Sequence, residues 1–151
     1  MVDKELEDYQ KKANELYQTG VLQPEFLAVH MWIKKMVRDY DGKANLVFDG
    51  TPRKLHEAGV LDSIFDFYGI NKPNVLHIDI NSGEALKRLI LRKRLDDHED
   101  DIKKRLAWFE TEVQPTIDWY GTNNRYTFHK IDGMGTVEDI HKDVVNKLGL
   151  R

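Results

Sequence analysis

Three short apolar runs, Asn45–Phe48, Val75–Ile80 and Tyr126–Ile131, are each too brief for a helix, and each leads into an aspartate at or near its end: Asp49, Asp79 and Asp132. Runs of this length bounded by turn formers read as strands. After each of them the apolar period changes to that of a helix. Leu61, Ile64, Phe65 and Tyr68 mark the buried side of a helix over Leu55–Phe67, Ser82 is expected to cap a helix over Gly83–Arg92, and the turn Asp132-Gly133-Met134-Gly135 leads to a closing helix over Val137–Leu148. Parallel strands need a crossover about as long as a helix, so this alternation predicts an α/β fold: a three-layer parallel sheet with helices on both faces.

The remaining chain is helical by pattern. Leu6, Tyr9, Ala13, Leu16 and Tyr17 recur at helical spacing over Lys4–Tyr17 and stop at Gly20, and Pro24 opens a second helix that runs to about Arg38. Asp41-Gly42 marks a turn. Asp97 is expected to cap a helix reaching Val113, with the acidic run Asp96-Asp97-His98-Glu99-Asp100-Asp101 at its positive end, and Pro115 to open a further segment ending near Gly121. Pro52 breaks the first strand into a loop. Three strands are few for so many helices, which implies that a strand neighbour is lacking.

Composition bounds the possibilities. With 151 residues, 40% hydrophobic, the chain suits a single domain over 1–151. No apolar stretch approaches bilayer length and the start MVDKELEDYQ is charged, so the expected setting is cytoplasmic with no membrane contact. The absence of cysteine excludes a disulfide framework, a thiolate zinc site and a cysteine nucleophile. A net charge of −3 argues against a nucleic-acid partner.

Open parallel sheets bind ligands beyond the carboxyl ends of their strands, which selects Asp49, Asp79 and Asp132. Asp49, ending the run Leu-Val-Phe-Asp, has the form of an acid that holds Mg2+ through water beside a nucleotide phosphate. Taken alone, Asp49-Gly50 reads rather as a simple turn, since strand ends are rich in Asp-Gly pairs. Arg88 and Arg92 lie four apart on one helix, Arg94 follows, Arg105 stands one helix later and Arg53 sits at the first strand mouth. Guanidinium groups so placed suit a polyphosphate, and they suit a solvated basic face beside the acidic run as well. His77, inside a strand, reads as a core histidine, and His56 and His98 as solvated. Trp32, Trp108 and Trp119 read as packing residues.

Several segments together are similar to those of adenylate kinase and its nucleoside monophosphate kinase relatives. Asp49-Gly50-Thr51-Pro52-Arg53 resembles the family's Asp-Gly-Phe-Pro-Arg signature. Arg88-Leu-Ile-Leu-Arg92 and Arg94-Leu-Asp-Asp97 resemble the segments flanking the lid, and Lys103-Lys104-Arg105-Leu106 the basic run after it. Gly20-Val-Leu-Gln-Pro24 is similar to the start of the helix beside the monophosphate site, and Pro115–Tyr120 and Ile131-Asp-Gly133 to the late helix and last strand end. The resemblance covers nearly the whole chain in family order. It implies a P-loop kinase-like fold transferring phosphoryl from ATP to AMP with Mg2+, with residues 4–40 as the monophosphate-binding helices, 41–151 as the core, and a lid reduced to about 92–95. Arg53, Glu57, Leu22, Gln23 and Gly50 would serve AMP. Arg88 and Arg92 would face the ATP phosphates, Arg94 and Arg105 the transferring group, and Gly135 the donor base. Asp49 would support the metal through water.

The chain departs from that pattern in three ways. None of its ten glycines forms the family's G-x-x-x-x-G-K loop, and the one Gly-Lys pair, Gly42-Lys43, precedes the first strand run. The resemblance therefore implies that the first strand, the loop and the next helix lie upstream of Met1, and that a supplied segment or a second copy of the chain completes the sheet. Only Lys93 separates Arg92 from Arg94, so little lid remains. Glu57 stands where adenylate kinases carry glutamine, and a carboxylate has no donor for the adenine ring. The alternative to a kinase is a non-catalytic nucleotide-binding or assembly module.

Overall fold

The computed structural model describes residues 24–92 and 99–150, together with Asp8, Lys11, Lys12 and Glu15, which are helical. The expected helix start at Lys4, its Gly20 cap, and Leu22, Gln23, Arg94 and Asp97 lie outside the described residues. The chain forms two compact units, Met1–Thr51 and Pro52–Arg151.

In the first unit, helix α1 (Glu25–Asp39) starts from Pro24, whose φ of −54° is already near the helical value. Its Met36 is buried, and Trp32 meets Phe48 edge-on at 6.1 Å. The Asp41-Gly42 turn forms as expected: the Asp41 carboxylate accepts the amides of Lys43 and Ala44 at 2.9 and 3.0 Å, and Gly42 takes φ +77°. The strand expected over Asn45–Phe48 does not form, and these residues are irregular. A strand exists by pairing, so an apolar run without a ladder beside it gains nothing from regular extension.

The second unit contains α2 (Leu55–Phe67), β1 (Asn74–Asp79), α3 (Ser82–Arg92), α4 (Glu99–Trp108), a π-helical turn (Phe109–Val113), α5 (Gln114–Thr122), β2 (Thr127–Asp132) and α6 (Val137–Leu148). Among the described residues the sheet has two strands, β1 and β2, parallel and in register from Asn74 opposite Thr127 to Asp79 opposite Asp132. This is an α/β fold with a small parallel sheet, consistent with a P-loop kinase-like architecture. Leu76 and Ile78 of β1 remain 38% and 49% exposed, while Ile131 of β2 is fully buried.

Ala58, Leu61 and Phe65 recur at helical spacing and form the buried stripe of α2, which packs on α5, whose own buried residues are Thr116 and Tyr120. Tyr120 and Tyr126 stack edge to face at 4.7 Å, with Trp119 5.7 Å from Tyr126. Polar contacts hold the same junction. The Tyr126 hydroxyl donates to the Asp62 carboxylate, and Arg125 reaches Asp66 at 2.6 Å and the Asp62 carbonyl at 3.4 Å.

Two element boundaries correct the sequence reading. The cap of α3 is Asn81, whose Oδ1 accepts the Glu84 amide at 2.8 Å; Ser82 is the first helical residue. The segments meeting near Pro115 do not break apart. They are joined by the π turn, in which the Gln114 amide reaches back five residues to the Phe109 carbonyl. Proline has no amide to give the carbonyl four residues earlier and its ring crowds that position, and a locally widened turn relieves both problems. At the end of the chain Thr136 caps α6 by accepting the Asp139 amide, and Gly149 closes it at φ +65°.

Candidate functional site

The carboxyl ends of β1 and β2 open on a cleft of about 580 Å³ that Asp79, Asn81, Lys130, Asp132 and Lys147 help to line. Lys130 pairs with Asp79 at 2.7 Å, and this hydrogen bond holds the Asp79 carboxyl below its ordinary range. Lys147 of α6 donates to the Lys130 carbonyl at 2.6 Å and lies 3.3 Å from Asp143. Asp132 accepts the Met134 amide at 2.9 Å and so shapes the turn after β2. Gly133, at the start of that turn, donates to the Asp79 carbonyl at 2.8 Å and extends the ladder by one bond. His77 sits half-buried beside Phe128 as a strand residue, and burial lowers its pKa.

On this side of the sheet Arg88 joins two elements. Its Nε lies 2.7 Å from Glu84 one turn back, and its Nη2 donates to the Gly135 carbonyl at 3.3 Å. Two of the three residues assigned from the resemblance to the donor nucleotide, Arg88 and Gly135, are thus brought together across α3 and the turn before α6. The bond to Arg88 holds the Glu84 carboxyl below its usual range, aided by Lys87. With 38% of its side chain exposed, Arg88 is fixed in direction yet open to solvent. Arg92 is the exposed last residue of α3, and Arg105 is half-buried on α4, which packs against α3.

Arg53 lies just ahead of α2 with its side chain exposed. Its backbone is held from within the unit: Glu57, only 5% exposed, places Oε2 2.6 Å from the Arg53 amide and 3.4 Å from the Lys54 amide. These bonds satisfy amides at the helix start and set a negative charge at its positive end. Lys54 also pairs with Glu112 of the π turn at 3.4 Å. The helix-start role of Glu57 escaped the sequence reading, although an acid at the third helical position is half of a capping signature; lysine at the cap position hid the other half.

In the first unit Asp49 is exposed and Gly50 takes φ +68°, so a turn follows the run as its composition suggested. No group of three or more metal-ligating side chains occurs among the described residues. Mg2+ does not need one, because it keeps most of its waters and takes one or two carboxylates with substrate phosphates. A single accessible carboxylate at Asp49 fits that requirement. No helix among the described residues is long and apolar enough to cross a membrane.

Comparison with known proteins is consistent in one direction. Residues 3–125 match the family model described as Adenylate kinase. Proteins named adenylate kinase are similar over most of the chain. The one from Phocaeicola vulgatus is 32% identical over 146 residues, covering 89% of this chain and 76% of its own length. That from Bacteroides thetaiotaomicron is 30% identical over 138 residues, 89% and 71% of the two chains, and that from Thermobifida fusca 29% identical over 145 residues, 93% and 75%.

Proposed function

Because the chain belongs to the adenylate kinase family of nucleotide kinases, we propose that its site serves phosphoryl transfer from ATP to AMP, with two ADP as products. An AMP phosphate oxygen attacks the terminal phosphorus of ATP as the bond to the bridging oxygen breaks. Such a reaction asks the protein for positioning and charge stabilisation more than for covalent chemistry. What supports the reading is the tie between Arg88 and Gly135, which sets a guanidinium and a backbone turn side by side at the mouth of a parallel sheet.

The roles are those that the resemblance to the family implies. Arg53 binds the acceptor phosphate, with Gly50, Leu22, Gln23 and Glu57 on the acceptor side. Arg88 and Arg92 bind the donor phosphates and Gly135 lies beside the donor base. Arg94 and Arg105 neutralise charge on the group in transit. Asp49 would hold Mg2+ through water, and the metal would supply further neutralisation of the donor phosphates. The proposed compartment is the cytoplasm.

The sequence contains no G-x-x-x-x-G-K motif to cradle the donor phosphates, and the loss of even one preorganised donor raises a barrier by about 3 kcal/mol. The proposal is therefore slow turnover by this chain alone and faster turnover when a peptide supplying a strand and that loop is added. A coupled ADP-formation assay tests it: stimulation by the peptide, abolished by Arg105→Ala, is expected, and equal rates with and without peptide refute it. The absence of that motif from the 151 residues also favours a second reading, a binding module without catalysis. That reading expects calorimetry to detect AMP binding that Arg53→Ala removes, with no turnover under either condition.

A further inference from the structure

Glu57 holds the position where an acceptor-base reader is expected, and its carboxylate is engaged elsewhere. With 5% of the residue exposed and Oε2 at 2.6 Å from the Arg53 amide, the group faces the backbone at the start of α2. A carboxylate also matches adenine poorly, since it accepts from the amino group but offers nothing to the ring nitrogen beside it. We propose that Glu57 is a positioning residue that fixes the backbone of Arg53, so that the acceptor site grips phosphate and leaves the base largely unread.

The geometry restrains two consecutive residues from two directions. Glu57 accepts from the amides of Arg53 and Lys54, and Glu112, on the π turn, pairs with the Lys54 ammonium at 3.4 Å. Charge-assisted bonds to a backbone amide are short and strong, and a carboxylate shielded from water holds them against competition. Arg53 keeps an exposed side chain on a fixed base, which lowers the ordering cost of closing its guanidinium on a phosphate. Selectivity among nucleobases is the property given up.

This inference rests on the acceptor-phosphate role of Arg53, and a base-free probe separates the two. Binding of AMP and of ribose 5-phosphate is measured by calorimetry for the wild-type chain, Glu57→Ala, Glu57→Gln and Arg53→Ala, beside amide exchange at Arg53 followed by NMR. Glu57→Ala is expected to weaken both ligands equally, by about tenfold, and to speed exchange of the Arg53 amide. Glu57→Gln, whose amide oxygen accepts the same bonds, is expected to restore both. If Glu57→Ala weakens AMP while leaving ribose 5-phosphate unchanged, Glu57 reads the base and the inference is overturned. An Arg53 amide that exchanges equally fast in the wild type and Glu57→Ala overturns it whether or not either ligand binds. Failure of the wild-type chain to bind either probe instead removes the acceptor role of Arg53, and the exchange data then decide the positioning role by themselves.

Discussion

Gly133 is held to its identity by its neighbours. A β-carbon there would come within 2.4 Å of the Ile80 side chain, 2.8 Å of Ile78 and 2.9 Å of the Asp79 carbonyl. Two of these are branched side chains of the adjoining segment and the third is backbone, so little can give way. Gly133→Ala is expected to cost about 2–3 kcal/mol, the scale of overpacking in a tight site, read as a lowered urea midpoint with an unchanged slope. The sequence marks Asp132-Gly133 as a turn and so finds the glycine for a different reason. Its actual constraint comes from residues about fifty positions earlier, which no local pattern encodes. Arg125, Asp62 and Asp66 were invisible for the same reason: each looks like an ordinary surface charge until α2 is laid beside the approach to β2.

At the scale of elements, helices were legible and their ends less so. The stripe Ala58, Leu61 and Phe65 announces α2, because its periodicity arises from one buried face. The start of α3 was misplaced by one residue because Asn81 and Ser82 are both good caps by type, and only the contact to Glu84 distinguishes them. Asn81→Ala is expected to cost about 1 kcal/mol and Ser82→Ala much less, a difference that paired thermal melts resolve. The run Asn45–Phe48 failed as a strand although its composition matches that of β1. Hydrogen-bonded neighbours decide the matter, and β1 has β2. The candidate site divides likewise. Its arginines and the aspartates of the strand ends stand out in the sequence by type and spacing, whereas the tie of Arg88 to Gly135 and the engagement of Glu57 appear only with the fold.

For the whole molecule, the charged contacts set a pH window for stability. Glu84 and Asp79 titrate below their ordinary values of 4.5 and 3.8 because Arg88 and Lys130 hydrogen-bond to their ionised forms. Their contribution is present above those values and is lost as pH falls through the lowered ones. His77 titrates below its ordinary 6.5 because burial disfavours the imidazolium, so the unfolded chain takes up protons first and stability declines on acidification from about that point. At the other extreme, burial raises Tyr126 and Tyr120 above their ordinary 10.0. The unfolded chain loses those protons first, and stability falls as pH climbs past 10. Denaturant midpoints measured from pH 3 to pH 11 are expected to form a plateau between these limbs, and Tyr126→Phe to flatten the alkaline limb while leaving the acid limb in place.

The two strands described for the sheet pair residues such as Asn74 and Thr127, with α3, α4, the π turn and α5 between them. During synthesis the first strand leaves the ribosome long before its neighbour exists, and a contact spanning so much chain carries a large loop-closure cost before it returns any stability. The helices, whose bonds are local, are free to organise during that interval. The ladder that creates the cleft is accordingly a late event in the life of each new molecule, and the cleft comes into being only with the last fifth of the chain.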